Sequence, residues 1–151
     1  MMNFAAQLVS NPVINCAFVG WFLAQFWKFL YELIFLKKCN IHAFFASGGM
    51  PSSHSSLVVS ATVMILRTEG FASIDFALAM VVSAVVMYDA TGVRRQAGYH
   101  AKMINQIVEH LREQNFELAG ENLKELLGHT PFQVFAGCLL GIAVGVLMPV
   151  F

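Results

Sequence analysis

The chain has 151 residues, room for one domain. Hydrophobic residues make up 58% and charged residues only 12%, against about 25% charged in an ordinary soluble domain, which excludes a cytosolic globule, a coiled-coil rod and a disordered chain. Nine Lys+Arg balance nine Asp+Glu, so net charge gives no pointer to nucleic acid, and Cys16, Cys39 and Cys138 are too few and scattered for a disulfide framework.

Four apolar stretches follow in chain order. Val13 to Leu36 is interrupted only by Asn15, Gln25, Lys28 and Glu32. It is not a cleavable signal, because no Lys or Arg precedes Lys28 and the apolar run is too long. Ser53 to Leu66 is shorter than the roughly 20 residues that cross a bilayer core, so its N-terminal end is expected in protein rather than lipid. Phe71 to Tyr88 carries one charge, Asp75, and Pro131 to Phe151 carries none. The expected fold is all-α: a polytopic membrane helical bundle of about four spans (13–36, 53–66, 71–88, 131–151) in a single domain.

Between the third and fourth spans, residues 96–128 read as an amphipathic helical insertion. Ile104, Ile107, Val108 and Leu111 recur at helical spacing. A break is expected near Asn115 to Gly120, after which Leu123, Leu126 and Leu127 resume the stripe and Gly128 caps it. Glu109, Glu113, Glu117, Glu121 and Glu125 form a ladder that reads as a solvated helix face. In the fourth span Gly137, Gly141 and Gly145 mark a close-packing face, first within the bundle and next as the seam of a homo-oligomer.

Four spans put the 37–52 and 89–130 segments on one side. Seven of the nine basic residues fall there: Lys37, Lys38, Arg94, Arg95, Lys102, Arg112 and Lys124. The positive-inside rule makes that side cytoplasmic, in the cell membrane.

Three polar clusters share that side. Gly48 to Ser55 opens the second span, where Pro51 suits a first helical turn and serines cap it, leaving amides that can cradle an anion. An ordinary membrane-helix cap is the plainer reading. Tyr88 to Arg95 closes the third span, and its adjacent arginines suit either bidentate phosphate binding or interfacial anchoring. Gly128 to Gln133 leads into the fourth span with a histidine before a helix start. That histidine is either merely solvated or positioned as nucleophile or base. Lys28 is an intramembrane cation, functional or paired with Glu32 one turn on. Together these residues specify an anion site at the cytoplasmic interface.

Pro51, Ser52, Ser53 and His54 resemble the Pro-Ser-Gly-His motif of the type-2 phosphatidic acid phosphatase and vanadium-dependent haloperoxidase superfamily. His129, Gln133, Val134, Ala136 and Gly137 resemble its closing His-x-x-x-Asp-Val-x-Ala-Gly. With Tyr-Asp-Ala-Thr-Gly-Val-Arg-Arg between them, the layout is similar to the small divergent branch of that superfamily over nearly the full length. The resemblance implies His129 as the nucleophile forming a phosphohistidine and His54 as the general acid. Ser52, Ser53, Arg94, Arg95 and Lys28 would bind phosphate, and Gln133 and Asp89 would support the nucleophile. His100, six residues after Arg94, is a rival nucleophile that lacks the Val-x-Ala-Gly tail. The chain departs from the family in lacking the opening Lys-x6-Arg-Pro. It also has Gln133 where the family places an Asp, and about 34 residues where six separate Arg from nucleophile.

The expected function is a membrane phosphatase acting on a phosphorylated lipid or isoprenoid, with no metal or other cofactor. The alternative is a non-catalytic phosphate- or lipid-binding membrane protein. Haloperoxidase chemistry rests on fold analogy alone. The expected partners are membrane lipid and a phosphorylated lipid substrate, with no nucleic acid.

Overall fold

A computed structural model describes residues 3–35, 37, 49–114, 123 and 128–150, with the side chains of Phe4, Ala5 and Arg94 left aside. Several sequence expectations lie outside the described residues. These concern Leu36, Lys38, Cys39, Gly48, Lys124 and Phe151, the break near Asn115 to Gly120, the resumed stripe at Leu126 and Leu127, and the C-terminal rungs of the glutamate ladder.

The described residues form helices and no strands. In chain order they are α1 (Phe4–Val9), α2 (Pro12–Phe35), α3 (Ser53–Glu69), α4 (Ile74–Thr91), α5 (Val93–Glu113) and α6 (Pro131–Leu147). Local chemistry fixes most helix starts. Ser52, Ser73 and Thr130 are N-caps whose hydroxyls accept from Ser55, Phe76 and Gln133 N–H groups, and Pro131 occupies the first turn of α6. Gly70 ends α3 at φ 82°, a left-handed value open to glycine. Gly92 separates α4 from α5.

α1 has no counterpart in the sequence reading. Asn3 caps it by accepting from Ala6 N–H at 2.8 Å. The Asn15 amide then donates to Val9 O at 2.7 Å, tying α1 to the first turn of α2. The four long apolar segments also differ from expectation at their ends. The third expected span begins, as α4, at Ile74 rather than Phe71, because Ser73 takes the cap. The insertion's first helix begins at Val93 rather than residue 96, directly after Gly92.

α3 is the centre of the bundle, packed against α2, α4 and α6. Its buried face is small and polar: Ser53, Ser55, Ser56, Ser60 and Thr62 line it with Val59 and Met64. Glycines let the neighbouring helices come close. A Cβ at Gly137 would overlap the Ser52 carbonyl oxygen, one at Gly141 would meet Ser56 O at 2.8 Å, and one at Gly20 would meet Ser60 Oγ at 2.5 Å. The glycine face of α6 is thus filled by α3, inside the bundle.

The serine hydroxyls bond to backbone across these close contacts. Ser56 Oγ donates to Gly20 O at 2.8 Å, and Ser83 and Thr62 share a hydrogen bond at 2.8 Å between α4 and α3. A small apolar cluster of Cys16, Met64 and Val144 fills the end of the bundle far from Ser53.

Large apolar side chains point outward instead. Phe18, Phe22 and Phe26 stack along the outside of α2 with ring centroids 6.3 and 6.0 Å apart, and Leu78, Val81, Val82 and Val85 are exposed on α4. Small polar residues inside and large apolar ones outside is the arrangement expected where the surroundings are hydrocarbon. By length and composition α2 and the run from α4 into α5 are long enough to cross a membrane, and α6 is a shorter apolar helix.

Candidate phosphate site at one end of the bundle

The starts of α3 and α6, the end of α4 and the later turns of α2 meet at one end of the bundle. Backbone hydrogen bonds fasten the junction. Ser52 N–H donates to Gln133 O at 3.0 Å, and His129 N–H donates to Ala90 O at 3.0 Å. Segments 39 to 81 residues apart along the chain are thereby locked around two histidines.

His54, in the first turn of α3, and His129, just before α6, lie with ring centroids 5.8 Å apart in an edge-on arrangement at 65°. His129 is only 3% exposed. Its Nδ1 lies 3.3 Å from Gln133 Oε1, which also accepts from Thr130 N–H at 3.0 Å. Gln133 N–H in turn donates to Thr130 Oγ1 at 3.3 Å, completing a reciprocal cap. Because Gln133 Oε1 already accepts from a backbone amide, it presents an acceptor to the imidazole. That favours the tautomer with hydrogen on Nδ1 and a lone pair on Nε2.

Lys28 approaches from α2. It is 7% exposed, and its Nζ donates to Gln25 Oε1 at 2.9 Å and to Ser53 Oγ at 3.4 Å. No ion pair joins Lys28 to Glu32 among the described residues. Ser52 and Ser55 hydroxyls are bonded to one another at 3.0 Å beneath the first turn of α3. The first-turn amides of a helix point out of its N-terminus with the positive end of its dipole, here toward the same end as Lys28 and both imidazoles.

The structure thus brings Lys28, Ser52, Ser53, His54, His129 and Gln133 together. Asp89 is half-buried immediately before Ala90, whose carbonyl holds His129. Arg95 is held elsewhere. It donates to Tyr99 Oη at 3.2 Å and sits 5.6 Å over that ring, both on α5. Arg94 is backbone in the first turn of α5, and its side chain is outside the described part. His100 is exposed on α5. Among the described residues, no three His, Cys, Asp or Glu side chains are placed to hold a metal ion.

Two contributors were not singled out from sequence. Gln25 is buried and orients Lys28; the polar pair at i and i+3 in an otherwise apolar stretch is the signal that points to it. Ala90 acts through its carbonyl, for which side-chain chemistry gives no signal.

Comparison with known proteins identifies the family. The chain is 34% identical over 155 residues to "Uncharacterized membrane protein YuiD" of Bacillus subtilis (strain 168), covering 96% of this chain and 98% of the relative. No solved structure matches it. The model of the divergent PAP2 family matches residues 9–144, and the chain, a membrane protein with an all-helical bundle, belongs to that family.

Proposed function

We propose that the protein is a multi-pass membrane phosphatase whose site faces the cytoplasm and hydrolyses a phosphorylated lipid or isoprenoid through a phosphohistidine. The observation that carries this reading is the approach of His54 and His129 to 5.8 Å, beside a buried lysine and a helix N-terminus. Phosphoryl transfer needs chiefly positioning and charge stabilisation. In this reading α2, α3, α4 and α6 cross the bilayer, with α3, about 25 Å long at 1.5 Å per residue, shielded from lipid by its neighbours.

In the reaction, Lys28 and the first-turn amides that follow the Ser52 cap hold the phosphate oxygens. The Nε2 lone pair of His129 attacks phosphorus in line, forming the N–P bond as the P–O ester bond breaks. The leaving oxygen takes a proton from His54 in its imidazolium form. His54 then takes a proton from water as the water oxygen attacks phosphorus. The N–P bond breaks, its electron pair returns to His129, and inorganic phosphate departs. Gln133 fixes the tautomer of His129 throughout.

One observation favours a second reading. Gln133 supplies a dipole where the family places a carboxylate, so the developing imidazolium gains no counter-charge. A binding protein that holds phosphate without turnover fits that substitution. Release of labelled phosphate from phospholipid by the purified protein separates the two. Turnover lost in His129→Ala supports the phosphatase. Vanadate protection against heating with no phosphate released supports the binder. A fully active His129→Ala protein overturns the assignment of the nucleophile.

A further inference from the structure

α5 presents one open apolar face. Val93, Tyr99, Met103, Ile104 and Ile107 are all exposed. At about 3.6 residues per turn they share one arc of the helix, with Gln96 and His100 as the polar positions inside it. Among the described helices α5 packs on α4 alone. The returning chain is pinned on the other side, where Asn105 Nδ2 donates to Leu123 O at 2.8 Å and Asn105 Oδ1 accepts from Leu123 N–H at 2.9 Å. A strongly amphipathic helix with its apolar side left open has another surface to meet.

Two features say which surface. Basic residues border the arc: Arg95 and Lys102 stand next to Tyr99 at one edge and Arg112 at the other, while Glu109 and Glu113 fall within the polar face. Long cationic side chains at such borders lay their stems on apolar surface and hold their charges at the level of headgroups. The arc also follows directly on the apolar exterior of α4. Leu78, Val81, Val82 and Val85 are exposed there, exposed Tyr88 closes the run, and Val93 opens the arc just after Gly92. Regular helix is interrupted at Gly92, with φ −99° and ψ −89° against about −63° and −42° in an α-helix.

We propose that α5 lies along the headgroup layer of the bilayer that α4 crosses, with its apolar arc against the acyl chains and its basic borders against anionic lipid headgroups. This rests on the reading of α4 as a crossing helix. Gly92 is then where the chain turns from crossing the bilayer to running along it, for about 30 Å at 1.5 Å per residue. The surface is lipid rather than a second protein because the chain itself carries the arc to headgroup level, where a protein would have to displace lipid to reach it. α5 starts just beyond Ala90, whose carbonyl holds His129, so the docked helix and the phosphate site share one leaflet.

The test uses full-length protein with Cys16, Cys39 and Cys138 replaced by Ala, reconstituted into vesicles of phosphatidylcholine with phosphatidylglycerol. A fluorophore is attached through Val82→Cys on α4, Ile107→Cys on the arc or Glu109→Cys on the polar face. It is quenched by nitroxide on the lipid acyl chains or by aqueous iodide on both sides of the vesicle. Acyl-chain quenching is expected at positions 82 and 107 and not at 109, and iodide quenching at 109 and not at 107. Ile104→Glu is expected to abolish acyl-chain quenching at 107, and Lys102→Gln or vesicles of phosphatidylcholine alone to weaken it. Equal quenching at 107 with and without phosphatidylglycerol overturns the part given to charge. Iodide quenching as strong at 107 as at 109, with 82 still among the acyl chains, overturns the docking and leaves the crossing of α4 standing. Shielding of 107 from both quenchers means that protein covers the arc, and overturns the docking as well. No acyl-chain quenching at 82 overturns the crossing of α4 and the docking with it.

Discussion

Gln133 Oε1 lies 3.3 Å from His129 Nδ1 while accepting the Thr130 amide at 3.0 Å. One side chain thereby both closes the N-terminus of α6 and orients the imidazole proposed as nucleophile. Gln133→Asp keeps an acceptor at that place and adds a negative charge opposite the developing cation. Loss of the corresponding carboxylate in a serine-protease triad costs roughly 10⁴ in turnover. The substitution is therefore expected to raise kcat by about tenfold or more, measured as phosphate release from phospholipid. Gln133→Leu is expected to lower it and to cost about 1 kcal/mol of stability through the lost cap.

His54 as general acid predicts a dependence on the leaving group. An alkyl alcohol needs its oxygen protonated as it departs, whereas a nitrophenolate leaves unprotonated. His54→Ala is expected to slow hydrolysis of an alkyl phosphate about 100-fold or more and a nitrophenyl phosphate much less. Equal losses on both substrates would remove His54 from that role.

Lys28 tests whether burial serves binding or packing. A cation 7% exposed inside an apolar bundle is costly to hold, and its partners are neutral oxygens of Gln25 and Ser53. Lys28→Met is expected to leave thermal stability unchanged or raised in the absence of anion and to abolish the stabilisation by phosphate. A large loss of stability without anion would mean that the ammonium group is a structural element.

The close approach of α6 to α3 gives a packing prediction. A Cβ on Gly137 has no room beside the Ser52 carbonyl. Gly137→Ala is expected to lower stability by about 1–3 kcal/mol and to disturb phosphate binding, because Ser52 N–H is held by Gln133 O on the same helix. At the opposite end Arg67 donates to the Gly145 and Met148 carbonyls at the end of α6. Arg67→Ala is expected to cost about 1 kcal/mol with phosphate binding intact. Thermal unfolding with and without phosphate measures both.

Orientation in the membrane is tested by labelling, in a background with Cys16, Cys39 and Cys138 replaced by Ala. Phe71→Cys lies in the turn before α4, 79% exposed, and Tyr99→Cys lies on α5. A membrane-impermeant maleimide on intact cells is expected to label position 71 and spare 99. The reverse pattern would put the site on the outer face.

Much of this arrangement was legible from span parity. Four apolar stretches read as alternating crossings put Ser52, His54, Arg94, Arg95 and His129 on one side, which is the basis for expecting two imidazoles distant in sequence to meet. Proximity within that side was not legible. Adjacent charges at Arg94 and Arg95 read as a phosphate clamp, yet Arg95 is taken up by Tyr99 one turn along α5, a local i,i+4 contact. α1 escaped because six residues offer too short a run for periodicity, and asparagine side chains rather than packing hold it. Gln25 is one polar residue among several in an apolar stretch, and only the fold shows Lys28 donating to it. Serines at the entrance to α3 read as a cap, but hydroxyls such as Ser56 and Ser60 in a short apolar segment do not reveal that glycines from two other helices close over them.

The account's central claim is tested most directly by mixing the purified protein with phospholipid carrying labelled phosphate, quenching within a turnover, and mapping the label on the denatured chain. Acid-labile, base-stable phosphate on the peptide containing His129, absent from His129→Ala and accumulating in His54→Ala with an activated ester, is the predicted result. Phosphate released at full rate with no label on that peptide would contradict it.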